Sequence, residues 1–210
     1  MVASKGKSAG SGHSGPRLPP GPPADLAKRE LPLVPWPAAT PLYRVHPANR
    51  DPIYYGPRKP ASQRFDDPES RFGTLYVGTN LEIAFVETLL RNPQLRMVAM
   101  SEVASRRWSI LQAASAMQLV DFAGPGLSAL GTDNGVNTGP YAISRAWAAA
   151  LHAHPAKPDG ILYVSRHNPA HRCIAMFGRR IEIAPTAPPA TFETDWLWST
   201  LKRYHKLLSD

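Results

Sequence analysis

Short β-prone runs at residues 42–45, 73–78, 95–100, 108–111, 118–122, 160–165 and 172–177 punctuate the chain, separated by polar or Gly/Pro-rich stretches. So many short strands with so few helical stretches between them require a mixed sheet rather than a regular parallel one. One helical pattern follows immediately on a strand. Gly73-Thr-Leu-Tyr-Val-Gly78 is bounded by glycines, Thr79 and Asn80 then offer helix caps, and residues 81–91 fill a helix that Asn92-Pro93 stops. A second helix starts at Asn137-Thr-Gly-Pro140, with proline in its first turn, and runs over 141–152 until Pro155. A third is expected over 192–208, where Leu197, Leu201, Tyr204 and Leu208 recur on one face. The fold class is therefore α+β, a small mixed sheet with flanking helices and no internal repeat.

At 210 residues the chain supports one domain plus a tail. Residues 1–40 are rich in Pro, Gly, Ser and Ala, include Pro19-Pro-Gly-Pro-Pro23, and read as a disordered or loosely docked extension; the globular part is expected over 41–210. With 43% apolar residues the remainder can bury a core. No apolar run approaches the roughly 18 residues of a membrane-spanning helix, and the first fifteen residues lack the apolar middle of a secretory signal. A cytoplasmic location is the expectation. The single cysteine, Cys173, cannot form an internal disulfide and suits a reducing compartment.

The formal charge of +8 suits phosphate-bearing partners, whether nucleic acid or a dinucleotide. Five basic and two acidic residues fall in the first forty, so the 19 basic and 14 acidic residues beyond leave +5, with no Lys/Arg run longer than two. That scatter argues against a concentrated DNA-binding arm.

Several familiar motifs fail. Gly124-Pro-Gly-Leu-Ser-Ala129 has the glycine spacing of a dinucleotide turn, but Pro125 and the Gly/Asn-rich stretch behind it spoil the required helix, and no acid follows about 20 residues on. His167 and His171 lie four apart near Cys173, yet Pro169 disfavours the helix that would bring them to one metal, so they read as surface or structural histidines and no metal is expected. Neither a phosphate-loop Gly-Lys-Ser signature nor a Gly-x-Ser-x-Gly elbow is present.

What remains is a set of polar residues embedded in apolar or aromatic segments: Arg44, Arg64, Tyr76, Glu87 and Ser165. Each has a plain structural reading beside the functional one. Arg44 reads equally as a solvent-facing strand residue, and Arg64 as the partner of a nearby acid. Glu87 has Arg91 at i+4 for an exposed ion pair. Tyr76 reads as a core aromatic, and Ser165 as a strand-end residue bonding the following backbone.

Taken together, Leu42-Tyr-Arg44-Val45, Arg64-Phe65-Asp66, Gly73-Thr-Leu-Tyr76-Val-Gly78 with the helix that carries Ala84 and Glu87, and Asp159-Gly-Ile-Leu-Tyr163-Val-Ser165-Arg166 resemble the RES domain, a family named for an arginine, a glutamate and a serine. The resemblance spans roughly 42–183. The family often has Trp after the second arginine, where this chain has Phe65, and Arg71 is a rival to Arg64 for that second arginine. The resemblance implies an ADP-ribosyltransferase-like fold, no resident cofactor, and NAD as substrate. It implies that Glu87 stabilises positive charge developing on the ribose, that Arg44 and Arg64 clamp the pyrophosphate, that Tyr76 stacks on nicotinamide or ribose, and that Ser165, with Arg166 a weaker addition, holds the substrate.

The resemblance leaves the acceptor open: water makes a glycohydrolase, phosphate a phosphorylase, and a protein side chain an ADP-ribosyltransferase. It also implies a toxin with a separate antitoxin protein. Two readings of another kind stand beside it, a basic nucleic-acid-binding module and an inactive RES fold that serves as an interaction partner. A homodimer is a further expectation, since Trp196 and Trp198 on the last helix would face either a core or a partner.

Overall fold

A computed structural model describes residues 18–56, 59–178 and 181–210. Its framework is an eight-stranded sheet in the order β1-β6-β7-β8-β3-β2-β5-β9, formed by Leu33–Trp36 (β1), Leu42–Pro47 (β2), Thr74–Gly78 (β3), Arg106–Ala113 (β5), Met117–Phe122 (β6), Gly160–Val164 (β7), Arg172–Phe177 (β8) and Ile183–Pro185 (β9). Within this sheet, among the described residues, only β6 and β7 pair in parallel and the other pairings are antiparallel, so the sheet is mixed as the run of short strands requires. The sheet is larger than expected because β1 and β9, neither legible as an apolar run, supply its two edges.

Apolar residues cover both faces of the sheet. Leu42, Leu75, Val77, Leu111, Met117, Leu119, Ile174 and Met176 form one buried cluster. The larger cluster lies under the helices Leu81–Leu89 (α1), Tyr141–Ala153 (α5) and Thr194–Arg203 (α6), and holds Phe65, Phe85, Phe122, Trp147 and Leu201. Phe122 meets Phe65 and Trp147 edge-on at 6.2 and 5.6 Å, a geometry that adds about 1 kcal/mol per pair beyond area burial. Three one-turn or two-turn helices, Met100–Ala104 (α2), Gly126–Ala129 (α3) and Gly135–Thr138 (α4), sit in connections. The failed dinucleotide turn is thus a short helix whose first N–H, at Gly126, donates to the Asp121 carboxylate at 3.0 Å.

The strand–turn–helix unit forms as its caps predict. The Asn80 side chain accepts from the Ile83 N–H at 2.9 Å and starts α1, a bond that contributes about 1 kcal/mol. Gly78 permits the tight entry: a Cβ there would lie 2.7 Å from both the Ala84 nitrogen and Ile83 Cγ2. The helix therefore packs directly against the end of β3, and this contact places Glu87.

Two expectations are corrected. Residues 18–40 are built into the fold, although residues 1–17 of the expected tail lie outside the described residues. Leu26 and Leu31 are buried, β1 pairs with β6, and Trp147 Nε1 and Thr132 Oγ1 both donate to the Pro20 carbonyl, at 2.9 and 3.0 Å. Average composition hides a few well-spaced large residues, and Pro35 is tolerated because β1 is an edge strand. The last helix ends at Arg203 rather than 208, where His205 adopts a left-handed φ of 52°. Leu208 then belongs to β10 (Leu207–Ser209), which pairs in parallel with β4 (Met97–Ala99) as a separate two-stranded sheet. On α6, Trp196 packs edge-on against Phe85 at 5.4 Å, whereas Trp198 is half exposed. No helix among the described residues is long and apolar enough to cross a membrane.

Candidate active site

β2 and β3 meet at one register position, Tyr43 opposite Gly78, and part beyond it. A cleft of about 280 Å³ opens there, with Tyr43, Arg44 and Val45 on one wall and Tyr76, Val77 and Gly78 on the other. Helix α1 contributes Glu87, Thr88 and Arg91, and the segment after β7 contributes Arg166 and His167. Four guanidinium groups, from Arg44, Arg64, Arg91 and Arg166, thus share the cleft with the carboxylate of Glu87.

Glu87 does not pair with Arg91 among the described residues. Its Oε1 instead accepts a 2.5 Å hydrogen bond from Ser165 Oγ, across 78 residues of sequence. Ser165 sits at the end of β7, is 0% exposed, and its Oγ also accepts the backbone N–H groups of His167 and Asn168, each at 3.1 Å. Such a turn fixes the hydroxyl hydrogen on the one remaining direction, towards Glu87. Ser165 is not among the residues that line the cleft; its side-chain contact is with Glu87, whose side chain does line it. The same loop is tied down further. Asn168 Nδ2 donates to Tyr204 Oη at 2.7 Å, and Tyr204 Oη donates to Glu82 Oε1 at 2.8 Å, so α6 and α1 together brace the Ser165 loop.

Arg44 is 9% exposed, which removes the solvent-facing alternative, and its Nη2 donates to the Tyr54 carbonyl at 3.4 Å. Arg64 is 7% exposed and pairs with no acid among the described residues. Its Nη1 donates to the Gly139 carbonyl at 2.9 Å and to Ser144 Oγ at 3.2 Å, while the guanidinium stands 4.6 Å over the Tyr141 ring. Burial pushes its pKa down, the Tyr141 side chain opposing. Arg64 Nη2 is buried with no partner among the described residues. Arg71 points elsewhere: it grips the Asp67 carboxylate with Nε and Nη2 at 3.0 and 2.9 Å, its side chain 55% exposed. Of the two rival arginines, Arg64 lines the cleft and Arg71 does not.

The ring of Tyr76 lines the cleft, but its hydroxyl is committed to the loop ahead of β3. It donates to Asp66 Oδ1 and accepts from the Phe65 N–H, both at 2.9 Å. The hydroxyl is thus already engaged on both its donor and an acceptor side.

Four cleft residues were not legible as such. Asn137 is buried, and both bonds of its Nδ2, to the Phe122 carbonyl at 2.7 Å and Asn134 Oδ1 at 2.9 Å, fix the amide orientation. Its Oδ1 is thereby left as a buried acceptor with no partner among the described residues. Tyr141 lies at the first turn of α5 beneath Arg64. His167, expected as a surface or structural histidine, lines the cleft; burial pushes its imidazole pKa down, Glu87 pulling it up and Arg166, Arg91 and Arg64 pushing it further down. Cys173 lies in the cleft floor, its thiol pushed well up by burial and then by Glu87. His171 is engaged apart from both, its Nδ1 3.0 Å from Asn80 Nδ2, and no group of three or more His, Cys, Asp or Glu side chains among the described residues is arranged to hold a metal.

No curated protein sequence matches this chain. A chain in the crystal structure of the M. tuberculosis MbcT–MbcA toxin–antitoxin complex shares its fold, with a TM-score of 0.59 at 14% identity over 82% of this chain and 91% of that one. The model of the RES domain family matches residues 41–199, which takes in both walls of the cleft, α1 with Glu87, and the Ser165 loop. The chain belongs to the RES domain family.

Proposed function

We propose that this protein is a toxin-like enzyme that breaks the nicotinamide–ribose bond of NAD. The observation that carries the reading is the Glu87 carboxylate, held by Ser165 inside a cleft of four guanidinium groups. When the bond from ribose C1′ to the pyridinium nitrogen breaks, its electron pair returns to nicotinamide, which leaves neutral, and positive charge develops on the ribose. A fixed carboxylate beside that ring stabilises the transition state more than the ground state. Because the leaving group departs uncharged it needs no proton, so one carboxylate suffices where glycosidases use two.

The arginines suit the pyrophosphate, which needs planar, charged donors. Among the described residues, Arg64 offers a buried Nη2 without a partner, and Asn137 a buried Oδ1 without one. A buried polar group left unsatisfied costs about 1 to 3 kcal/mol, so a ligand that supplies an acceptor to the first and an amide N–H to the second recovers that cost on binding. NAD carries both, in its phosphate oxygens and its carboxamide. With water as acceptor, its oxygen bonds to C1′ and one proton is released, giving ADP-ribose; with phosphate, the sugar phosphate forms instead. A protein side chain as acceptor gives ADP-ribosylation. The likeness to a chain from a toxin–antitoxin complex supports a separate antitoxin protein as partner.

Product identification tests the reading. The purified protein is incubated with NAD in phosphate and in a phosphate-free buffer, and products are resolved by mass spectrometry. Nicotinamide with ADP-ribose, or with its 1-phosphate in the phosphate buffer alone, supports it and names the acceptor. Intact NAD in both buffers, with no labelled protein, contradicts it.

A further inference from the structure

A second groove, of about 620 Å³, continues from the cleft and shares Arg44, Tyr76 and Glu87 with it. Its far end is cationic. Arg50 follows β2, Lys59 comes from the next loop, and Arg106 opens β5 opposite Pro47. The one acid that this end adds among the described residues is Asp51, whose Oδ1 accepts the Ile53 N–H at 2.6 Å. Among the described residues neither Arg50 nor Arg106 has an ion-pair partner, and Arg106 Nε is buried without a hydrogen-bond acceptor.

A dinucleotide pyrophosphate carries about two negative charges, and the cleft already holds enough arginines to meet them. The far end of the groove therefore has cations in excess of what NAD requires. A phosphomonoester, with a charge of about −1.5 to −2 and three acceptor oxygens, matches them. If the nicotinamide ribose sits at Glu87, the adenosine end of the dinucleotide extends along this groove.

We propose that Arg50, Lys59 and Arg106 form a subsite for a third phosphate, so that the preferred substrate is a dinucleotide phosphorylated on its adenosine ribose, NADP rather than NAD. The proposal rests on the NAD-cleaving reading for its chemistry. It leaves the reaction unchanged: the same C1′–nitrogen bond breaks, and the extra phosphate is bound without being transferred.

Two measurements on the full chain test it. In the first, kcat/KM is determined for NADP and NAD with wild type and with the Arg50→Gln/Arg106→Gln double variant. Wild type is expected to favour NADP by about tenfold or more, and the double variant to lose that preference while its NAD turnover changes by less than about threefold. In the second, calorimetry compares wild-type binding of adenosine 2′,5′-bisphosphate and AMP, with the bisphosphate expected to bind about tenfold more tightly and the difference to vanish in the double variant. NAD and NADP turned over equally, with the two nucleotides bound equally, overturns the subsite and leaves NAD cleavage standing; this is also the result expected if an acidic peptide fills the groove. Should neither dinucleotide be turned over, NAD cleavage fails, and the calorimetry alone supports or overturns the subsite.

Discussion

Replacing Ser165 by Ala separates two roles for this serine, contact with substrate and support of Glu87. The variant deletes the 2.5 Å bond to Glu87 Oε1 and the acceptor for the His167 and Asn168 N–H groups. A hydrogen bond to a charged group contributes about 1.5 to 3 kcal/mol, and two half-buried N–H groups that regain only part of their hydration add about 1 kcal/mol more. The expected loss of stability is thus about 2.5 to 4 kcal/mol, which lowers Tm by about 2 to 4 °C per kcal/mol in a chain of this size. Catalysis suffers separately, because Glu87 loses the contact that sets its direction. A misdirected carboxylate costs about 10- to 100-fold in kcat. Since Ser165 does not line the cleft, KM for NAD is expected to stay within about threefold of wild type. Initial rates of nicotinamide release over a range of NAD concentrations, taken well below the lowered Tm, supply both constants. A KM raised tenfold with kcat preserved would refute the positioning role and return Ser165 to direct substrate contact.

Tyr204→Phe removes the acceptor of Asn168 Nδ2 and the donor to Glu82. It is expected to lower kcat by about 3- to 10-fold without a matching rise in KM, which steady-state kinetics would show; an unchanged kcat would mean that the Ser165 loop holds its shape alone. Arg64→Ala is expected to raise KM for NAD by about tenfold or more, and Arg71→Ala to leave it within about twofold, because Arg64 lines the cleft and Arg71 is spent on Asp67. Equal effects would contradict that division. His46 is buried, and desolvation lowers its pKa against the pull of its bonds to the Pro47 and Arg50 carbonyls. A histidine depressed in the folded state contributes stability above its unfolded value of about 6.5 that is lost as pH falls, at up to about 1.4 kcal/mol per pH unit. Urea unfolding at several pH values should show this decline and show it flattened in His46→Gln; a stability independent of pH below that value would contradict it.

What the sequence alone makes legible follows the range of the interactions involved. The unit from Gly73 to Leu89 was legible because its signals are local: the strand ends at Gly78, Asn80 caps the helix, and Pro93 lies just beyond it. Glu87 and Ser165 were recognisable as a pair of site residues only through resemblance. Nothing in their own neighbourhoods shows that β7 delivers the serine beneath α1, and the local ion pair with Arg91 is the simpler expectation. Asn137 and Tyr141 escaped for a related reason, reading as ordinary residues of a helix start while tertiary packing brings both to the cleft, Tyr141 under Arg64. β1 was hidden by Pro35 and the flanking Pro32 and Pro37, although Leu26, Leu31 and Trp36 pack it into the core. Leu208 misled in the opposite direction: its spacing from Tyr204 fits a helix, but the left-handed turn at His205 redirects it into β10.

The most direct test of the account is nicotinamide release from NAD by the wild-type protein and by Glu87→Gln, with folding of both checked by circular dichroism. The glutamine keeps the size and an acceptor for Ser165 Oγ while removing the charge. Turnover by wild type and a loss of at least about 100-fold in the variant, at similar affinity for NAD, is the predicted result. A variant that releases nicotinamide as fast as wild type would contradict the central claim, that the Glu87 carboxylate carries the chemistry of this cleft.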